Sequence, residues 1–233
     1  LITDKSWSFA RARMGYRHVD APLLKAFMGR PFIDLRLSLN SFLPSDLSAS
    51  ASQELINYQL EKLRANPHFH DKIEFYIAAT CLDFEFDGYA QELKGAGFDH
   101  AKTEELRAGL RQLTRRALNP KRLSYLESHH VQLERSRLET LASSHPFDKK
   151  LRGLLDNCAR NGTVPFSELA RHGFIAAALL KSAVARSVLT QTDVDDFMRS
   201  IGTVAREFAA DAHALRQGNL GQQEFLDRYG HLR

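Results

Sequence analysis

Ten histidines, two cysteines and several acidic clusters give this 233-residue chain groups able to hold a metal or attack a substrate. Their spacing decides which chemistry is open to them. His68 and His70 form an HxH pair, and His129 and His130 are adjacent. A catalytic zinc helix needs HExxH, which sets two ligands on one helical face beside a glutamate. That pattern is absent, and the cysteines form no CxxC cluster, so no metal is expected. Asp193, Asp195 and Asp196 fall at an expected helix start, where negative charge complements the helix dipole. Asp83, Glu85 and Asp87 alternate with Phe84 and Phe86, as at a strand edge or the lip of a pocket. There is no GxSxG elbow, no GxxxxGK[ST] phosphate loop and no GxGxxG after a strand. Nothing in the sequence around Cys158 supports a nucleophile pair with a histidine. The chain therefore carries no complete catalytic motif of its own.

Its basic residues are the other source of chemistry. Arg11, Arg13, Arg17, Arg30 and Arg36 gather near the start of a chain of net charge +4. Such a group suits phosphate or nucleic acid, and Tyr16 and Phe32 beside it are compatible with base stacking. The alternative is an ordinary solvated face. Further along, both signs mix, as in Glu104-Glu105 with Arg107, which argues against a nucleic-acid partner.

The elements that position these groups are mostly helical. Residues 1–47 form a distinct N-terminal segment packed on a helical domain of 48–233. Within it, Ala21 to Met28 predicts a short helix with Asp20 as N-cap and Pro22 in the first turn. From Ile33 to Leu39 apolar residues alternate with polar ones, which predicts a short half-buried strand. From Ser48 the pattern turns helical, through Leu55, Tyr58 and Leu63, to a stop at Asn66-Pro67. Ile73 to Phe86 is expected as helix. An amphipathic helix starts at Thr103, and Asn119-Pro120 ends it and starts another. Breaks follow at Ser144-His145-Pro146 and at Asn161-Gly162. Thr163 and Pro165 open a long helix, apolar around much of its circumference between Phe174 and Leu180 and so expected near the centre. Thr192 with Asp195 suggests a capping box for the next helix, which Gly218 stops. Gln222 to Tyr229 is a last short helix. The fold class expected is mainly α: a multi-helix domain with a short strand-containing N-terminal segment.

Composition agrees, with 43% apolar and 26% charged residues. No apolar run approaches the length of a membrane span, the longest being Phe174 to Leu180. Two distant cysteines, Cys81 and Cys158, are expected as small buried residues in a reducing compartment, so a soluble cytoplasmic protein with no membrane partner is expected. A start at Leu1 and an abrupt end after Tyr229-Gly230-His231-Leu232-Arg233 suggest a piece of a longer chain.

Two stretches stand apart from plain scaffold: Gly29-Arg30-Pro31-Phe32-Ile33-Asp34-Leu35, followed by Asn40-Ser41-Phe42, and Phe225-Leu226-Asp227-Arg228-Tyr229-Gly230-His231-Leu232-Arg233. They resemble the helical middle region of phosphoenolpyruvate-synthase-like phosphotransferases, the superfamily of pyruvate, phosphate dikinase and rifampin phosphotransferase. That region often carries a GR-x-Y/F-x-N/D-L strand early and an FL-x-x-YGHR segment late, in this order. Here Leu232 stands where many relatives have arginine, and Asp34 where asparagine is common. The resemblance implies an acceptor-binding or linker domain of an ATP-dependent enzyme. ATP and Mg²⁺ would bind a separate ATP-grasp module, and a separate swivelling module would carry the phosphohistidine. It implies no cofactor in this chain, and a small-molecule phosphoryl acceptor as partner. Arg17, Arg30 and Arg36 are the candidate donors to phosphoryl oxygens, with Asn40 and His231 orienting an acceptor hydroxyl or closing the pocket. The structural alternative is that Arg30 and His231 pin the strand and last helix together. The rival function is a non-catalytic helical domain binding a protein or nucleic acid. A free-standing small-molecule binder would need a deep apolar pocket among the helices.

Overall fold

The computed structural model describes residues 2–230, and side chains from residue 6. The chain is mainly α-helical, with a small two-stranded antiparallel sheet near its start. Its backbone contacts divide it into two units, Leu1–Arg186 and Ser187–Arg233.

In the first unit, α1 (Ile2–Met14) leads to a hairpin of β1 (Leu24–Phe27) and β2 (Arg30–Ile33). The expected helix over Ala21 to Met28 is thus a strand. Its register pairs Leu24 with Ile33 and Phe27 with Arg30. The two-residue loop has positive φ at both Met28 (50°) and Gly29 (75°), the geometry whose twist matches antiparallel strands. The expected strand over Ile33 to Leu39 is also corrected. Its first residue ends β2, and α2 (Leu35–Asn40) takes the rest. Asp34 causes the switch, because its carboxylate accepts from the Leu37 backbone N–H at 3.0 Å and caps the helix. A strand would send Ser38 and Leu39 to opposite faces, whereas both are buried here.

Ser48 caps α3 (Ala49–Ala65), which ends at Asn66 before a 3₁₀ turn at Pro67–Phe69. The expected helix from Ile73 to Phe86 shrinks to one turn, α4 (Ile73–Tyr76), and helix resumes only at α5 (Phe86–Gly95). Side chains from distant elements take over the backbone between them. Tyr16 Oη donates to the Thr80 carbonyl at 2.6 Å. The Leu82 N–H donates to Thr114 Oγ1 at 2.8 Å, and the Phe84 N–H to Ser182 Oγ at 3.3 Å. Tertiary hydrogen bonds satisfy groups that a helix would have satisfied locally.

Asp99 caps α6 (His100–Ala117), and Asn119 caps α7 (Pro120–Ala142). After the break at Pro146, α8 (Phe147–Asn157) runs back along α7. Lys150 donates to the Leu141 carbonyl, Asn157 to the Leu133 carbonyl, and His129 meets Asn161, as antiparallel packing requires. No chain-reversing turn forms at Asn161-Gly162. A π-helical stretch, Cys158–Thr163, carries the backbone directly into α9 (Val164–Ala185).

The main core gathers Met14, Tyr16, Leu39, Phe42 and Leu47 with Leu55, Ile56, Leu93, Leu106, Leu110 and Ile175, so it runs continuously through residue 47. A Cβ on Gly109 would lie 2.7 Å from Pro44 Cβ, so α6 approaches this loop as closely as it does only because it has glycine there. Cys81 is buried as expected, whereas Cys158 is exposed.

The second unit contains α10 (Gln191–Ser200), α11 (Val204–Arg216) and α12 (Gln222–Tyr229). The capping box of α10 is Thr190 with Asp193, two residues earlier than expected. Gly218, at φ 76°, follows the end of α11. Phe208, Phe225 and Tyr229 pack ring on ring, and Tyr229 Oη donates to Asp211 at 2.8 Å.

Candidate functional site

Four of the five sequence-derived site residues, Arg17, Arg30, Arg36 and Asn40, lie among the described residues. Arg17 is pinned: its backbone N–H donates to the Leu43 carbonyl at 2.8 Å, and its guanidinium to the Leu47 carbonyl at 2.6 Å. It secures the chain after α1 to the loop before α3. Arg30 is exposed on β2, next to the hairpin tip. Arg36 is exposed on α2, and the Asn40 side chain donates back to its carbonyl at 2.9 Å within the same helix. His231 lies outside the described residues. Arg30, Arg36 and Asn40 therefore share a neighbourhood of sequence, hairpin then helix, in which Asn40 is tied to Arg36.

The hairpin itself is apolar and open. Phe27, Met28 (88% exposed) and Phe32 all face solvent, with the Phe27 and Phe32 rings edge to face at 6.1 Å. Its base is held by Lys25 Nζ on Asp34 Oδ2 at 2.7 Å. This ion pair and the cap hydrogen bond to Leu37 together hold the Asp34 carboxyl below its usual range.

A buried cluster of charge lies elsewhere, where α9 packs against α1 and α7. Glu168 is completely buried, with Oε1 3.0 Å from Arg13 Nε of α1 and Oε2 2.5 Å from Arg122 Nη2 of α7. One turn further along α9, Arg171 is 4% exposed. It donates from Nη1 to Glu74 Oε2 and from Nη2 to Thr80 Oγ1, each at 3.2 Å. Arg11 donates to Ser41 Oγ, and its guanidinium carbon sits 3.9 Å from the centre of the Phe42 ring. Arg171 approaches the same ring to 5.4 Å. Burial brings the Arg11 guanidinium down to about 10; Glu74 opposes that shift and Arg171 adds to it. Burial pushes the Tyr16 hydroxyl up to about 12. The Cys81 thiol rises to about 11 by burial, with Asp83 adding to it.

The buried face of α9 mixes apolar and polar side chains. Its buried positions include Glu168, Arg171, Ile175 and Ser182, while Phe166, Leu169 and Ala177 are exposed. The signal in the sequence was that Glu168, Arg171 and Ser182 share a helical face with Ile175, at spacings of three, four and seven along Glu168, Arg171, Ile175 and Ser182.

The acidic run at Asp83, Glu85 and Asp87 resolves into local pairing. Asp83 accepts from the Glu85 N–H, while Glu85 and Asp87 meet Arg186 and Arg107. Among the described residues, no group of three or more histidine, cysteine, aspartate or glutamate side chains is placed to hold a metal ion. Two hollows of about 390 and 480 Å³ flank α5. Both open to solvent and are rimmed by charged side chains, among them Glu54 and Glu61 in one and Asp87 and Arg107 in the other. Among the described residues, no helix is long and apolar enough to cross a membrane.

No family model, no curated protein and no solved structure matches the chain.

Proposed function

We propose that this chain is the acceptor-side or linker domain of an ATP-dependent phosphotransferase that works through a phosphohistidine module outside it. The observation that carries the reading is the pair of segments Gly29–Leu35 and Phe225–Arg233, in the order and at the separation that the phosphoenolpyruvate-synthase-like region has. The local structure of the first segment is compatible with a working element. Gly29 takes the left-handed turn, Arg30 to Ile33 form the strand, and Asp34 caps the helix that follows. Asp34 and asparagine both serve as caps, so this departure from the family pattern leaves the local fold intact. Arg30 and Arg36 are the side chains offered to phosphoryl oxygens, since both are exposed, whereas Arg17 is committed to a backbone carbonyl. ATP and Mg²⁺ belong to the ATP-grasp module of the whole enzyme, and a cytoplasmic location forms part of the same proposal.

A second reading has an observation of its own. Phe27, Met28 and Phe32 are exposed together on the hairpin, as on a helical domain that docks a protein and catalyses nothing.

The test compares the full-length protein with this chain alone for conversion of ATP to AMP and phosphate, with and without candidate acceptors. AMP from the full-length protein and none from the isolated chain is the expected result. A full-length protein that never consumes ATP overturns the phosphotransferase reading and leaves the interaction domain.

A further inference from the structure

We propose that the hairpin of β1 and β2 inserts its tip into the surface of an anionic lipid bilayer, with Phe27, Met28 and Phe32 below the headgroups and Arg30 and Arg36 on lipid phosphates. This goes beyond the phosphotransferase reading and does not rest on it. It departs from the sequence expectation of no membrane partner, and it needs no spanning helix, because the contact is peripheral.

What the hairpin exposes is the first argument. Every residue from 25 to 33 is exposed, so both faces of the arm meet solvent. The register sets those faces. Phe27 and Phe32 share one with Lys25 and Arg30, and Leu24, Ala26, Pro31 and Ile33 share the other. Met28 closes the end at 88% exposure. A protein docked on a hairpin covers one face or one edge. Apolar groups on both faces and at the tip call for a medium that surrounds the arm, as lipid does.

The turn is the second argument. Met28 has φ 50°, a conformation that favours asparagine or glycine in a two-residue hairpin loop. Its side chain stands almost wholly in solvent, so it adds no packing to the fold. A residue that suits the turn poorly and packs on nothing is explained by what lies beyond the molecule.

Charge and depth are the third. From Ala21 to Ser45 the cations are Lys25, Arg30 and Arg36, and the carboxylate is Asp34, which Lys25 holds at 2.7 Å. Asp20 stands before the base of the arm. Arg30 and Arg36 are exposed and are left to meet anionic headgroups, Arg30 by reaching back from the tip along its alkyl stem. Four cross-strand pairs give an arm of about 10 Å, the depth to which interfacial segments bury their apolar groups. The Asp34 N–H donates to the Leu23 carbonyl at 2.8 Å, so hydrogen-bonded pairs alternate from there and turn the backbone of residue 31 to the outer edge. Pro31 has no N–H to leave unpaired at that depth.

The test mixes the full 233-residue chain with vesicles of phosphatidylcholine, with or without phosphatidylserine at about one lipid in three. Co-sedimentation against lipid concentration gives the affinity. A Met28→Trp variant reports the tip through its emission and through quenching by lipids brominated on the acyl chain. Wild type is expected to bind the anionic vesicles, more weakly as salt rises. The Met28→Trp emission should shift to the blue and be quenched, beyond any change from Trp7 in the wild type. Met28→Asn should lower the affinity by about tenfold or more, since it removes the burial of one large apolar side chain. Asparagine suits the turn, so that loss is not a loss of the hairpin. Arg30→Gln and Arg36→Gln should each lower the affinity about fivefold. Val131→Ser, which removes an exposed apolar side chain from α7, should leave it unchanged. No binding to the anionic vesicles overturns the proposal and leaves the hairpin to a protein partner. Binding that Met28→Asn leaves intact, or a Met28→Trp emission that vesicles do not change, also overturns it, since charge alone then holds the chain at the surface.

Discussion

Glu168 on α9 and Arg13 on α1 meet at 3.0 Å with the carboxylate completely out of solvent and the guanidinium at its edge. Arg122 from α7 closes on the other carboxylate oxygen, so one buried charge joins three helices. Removing that charge leaves two guanidiniums facing a neutral amide. Glu168→Gln is expected to lower stability by about 2–4 kcal/mol, toward the lower side of a fully buried pair because both arginines keep some contact with water. Urea unfolding of the single variants and of Glu168→Gln combined with Arg13→Gln measures the coupling. Additive losses in that cycle would show that the pair does not act as a unit.

Tyr16 donates its hydroxyl proton to the Thr80 carbonyl at 2.6 Å, in a stretch that has given up helical bonds of its own. Tyr16→Phe leaves that carbonyl short of a partner and is expected to cost about 1–2 kcal/mol at neutral pH. The folded-state value, about 12, stands above the ordinary tyrosine value of 10.0. The hydroxyl's contribution is therefore fully present below about pH 10 and is lost as pH rises through the folded value. Stability of the wild type and of Tyr16→Phe should converge across that window, with the buried tyrosine ionising last in a 295 nm absorbance titration. A constant gap between the two proteins up to the highest accessible pH would sink the assignment.

Where a signal is local, the sequence showed it. Asn119-Pro120 both ends α6 and caps α7, and Pro146 marks the start of α8, because caps and prolines act within a turn of themselves. The α10 cap was displaced by two residues because Thr190 with Asp193 and Thr192 with Asp195 have the same spacing. The backbone from Ile77 to Glu85 was not legible. What holds it open comes from Tyr16, Thr114 and Ser182, the nearest of them more than thirty residues away from its partner. The hairpin was missed for a related reason, since Met28 is a poor residue for a positive φ and hides the turn that Gly29 completes. For the candidate site, the basic character of the N-terminal region was visible, but its partners were not. Arg171 and Glu168 sat within a helix read through its apolar residues, and the helix turned those polar residues inward.

Asp34 joins the hairpin to α2 by two separable means, accepting from the Leu37 N–H of α2 at 3.0 Å and from Lys25 Nζ of β1 at 2.7 Å. Asparagine keeps the first and loses the charge of the second. Asp34→Asn is expected to cost about 0.5–1 kcal/mol at pH 7, the range of a partly exposed ion pair. Asp34→Ala also loses the cap and should cost about 1 kcal/mol more. Because the folded carboxyl is held below its ordinary value, its contribution is present above about pH 4 and is lost as pH falls through the folded value. Thermal melts of the wild type and both variants between about pH 7 and pH 2 check this. The gap between wild type and Asp34→Asn should close on the acid side. The cap difference between Asn and Ala should persist there, because an amide oxygen does not titrate. A gap between wild type and Asp34→Asn that survives full acidification would mean that the charge of Asp34 does not tie the hairpin to α2.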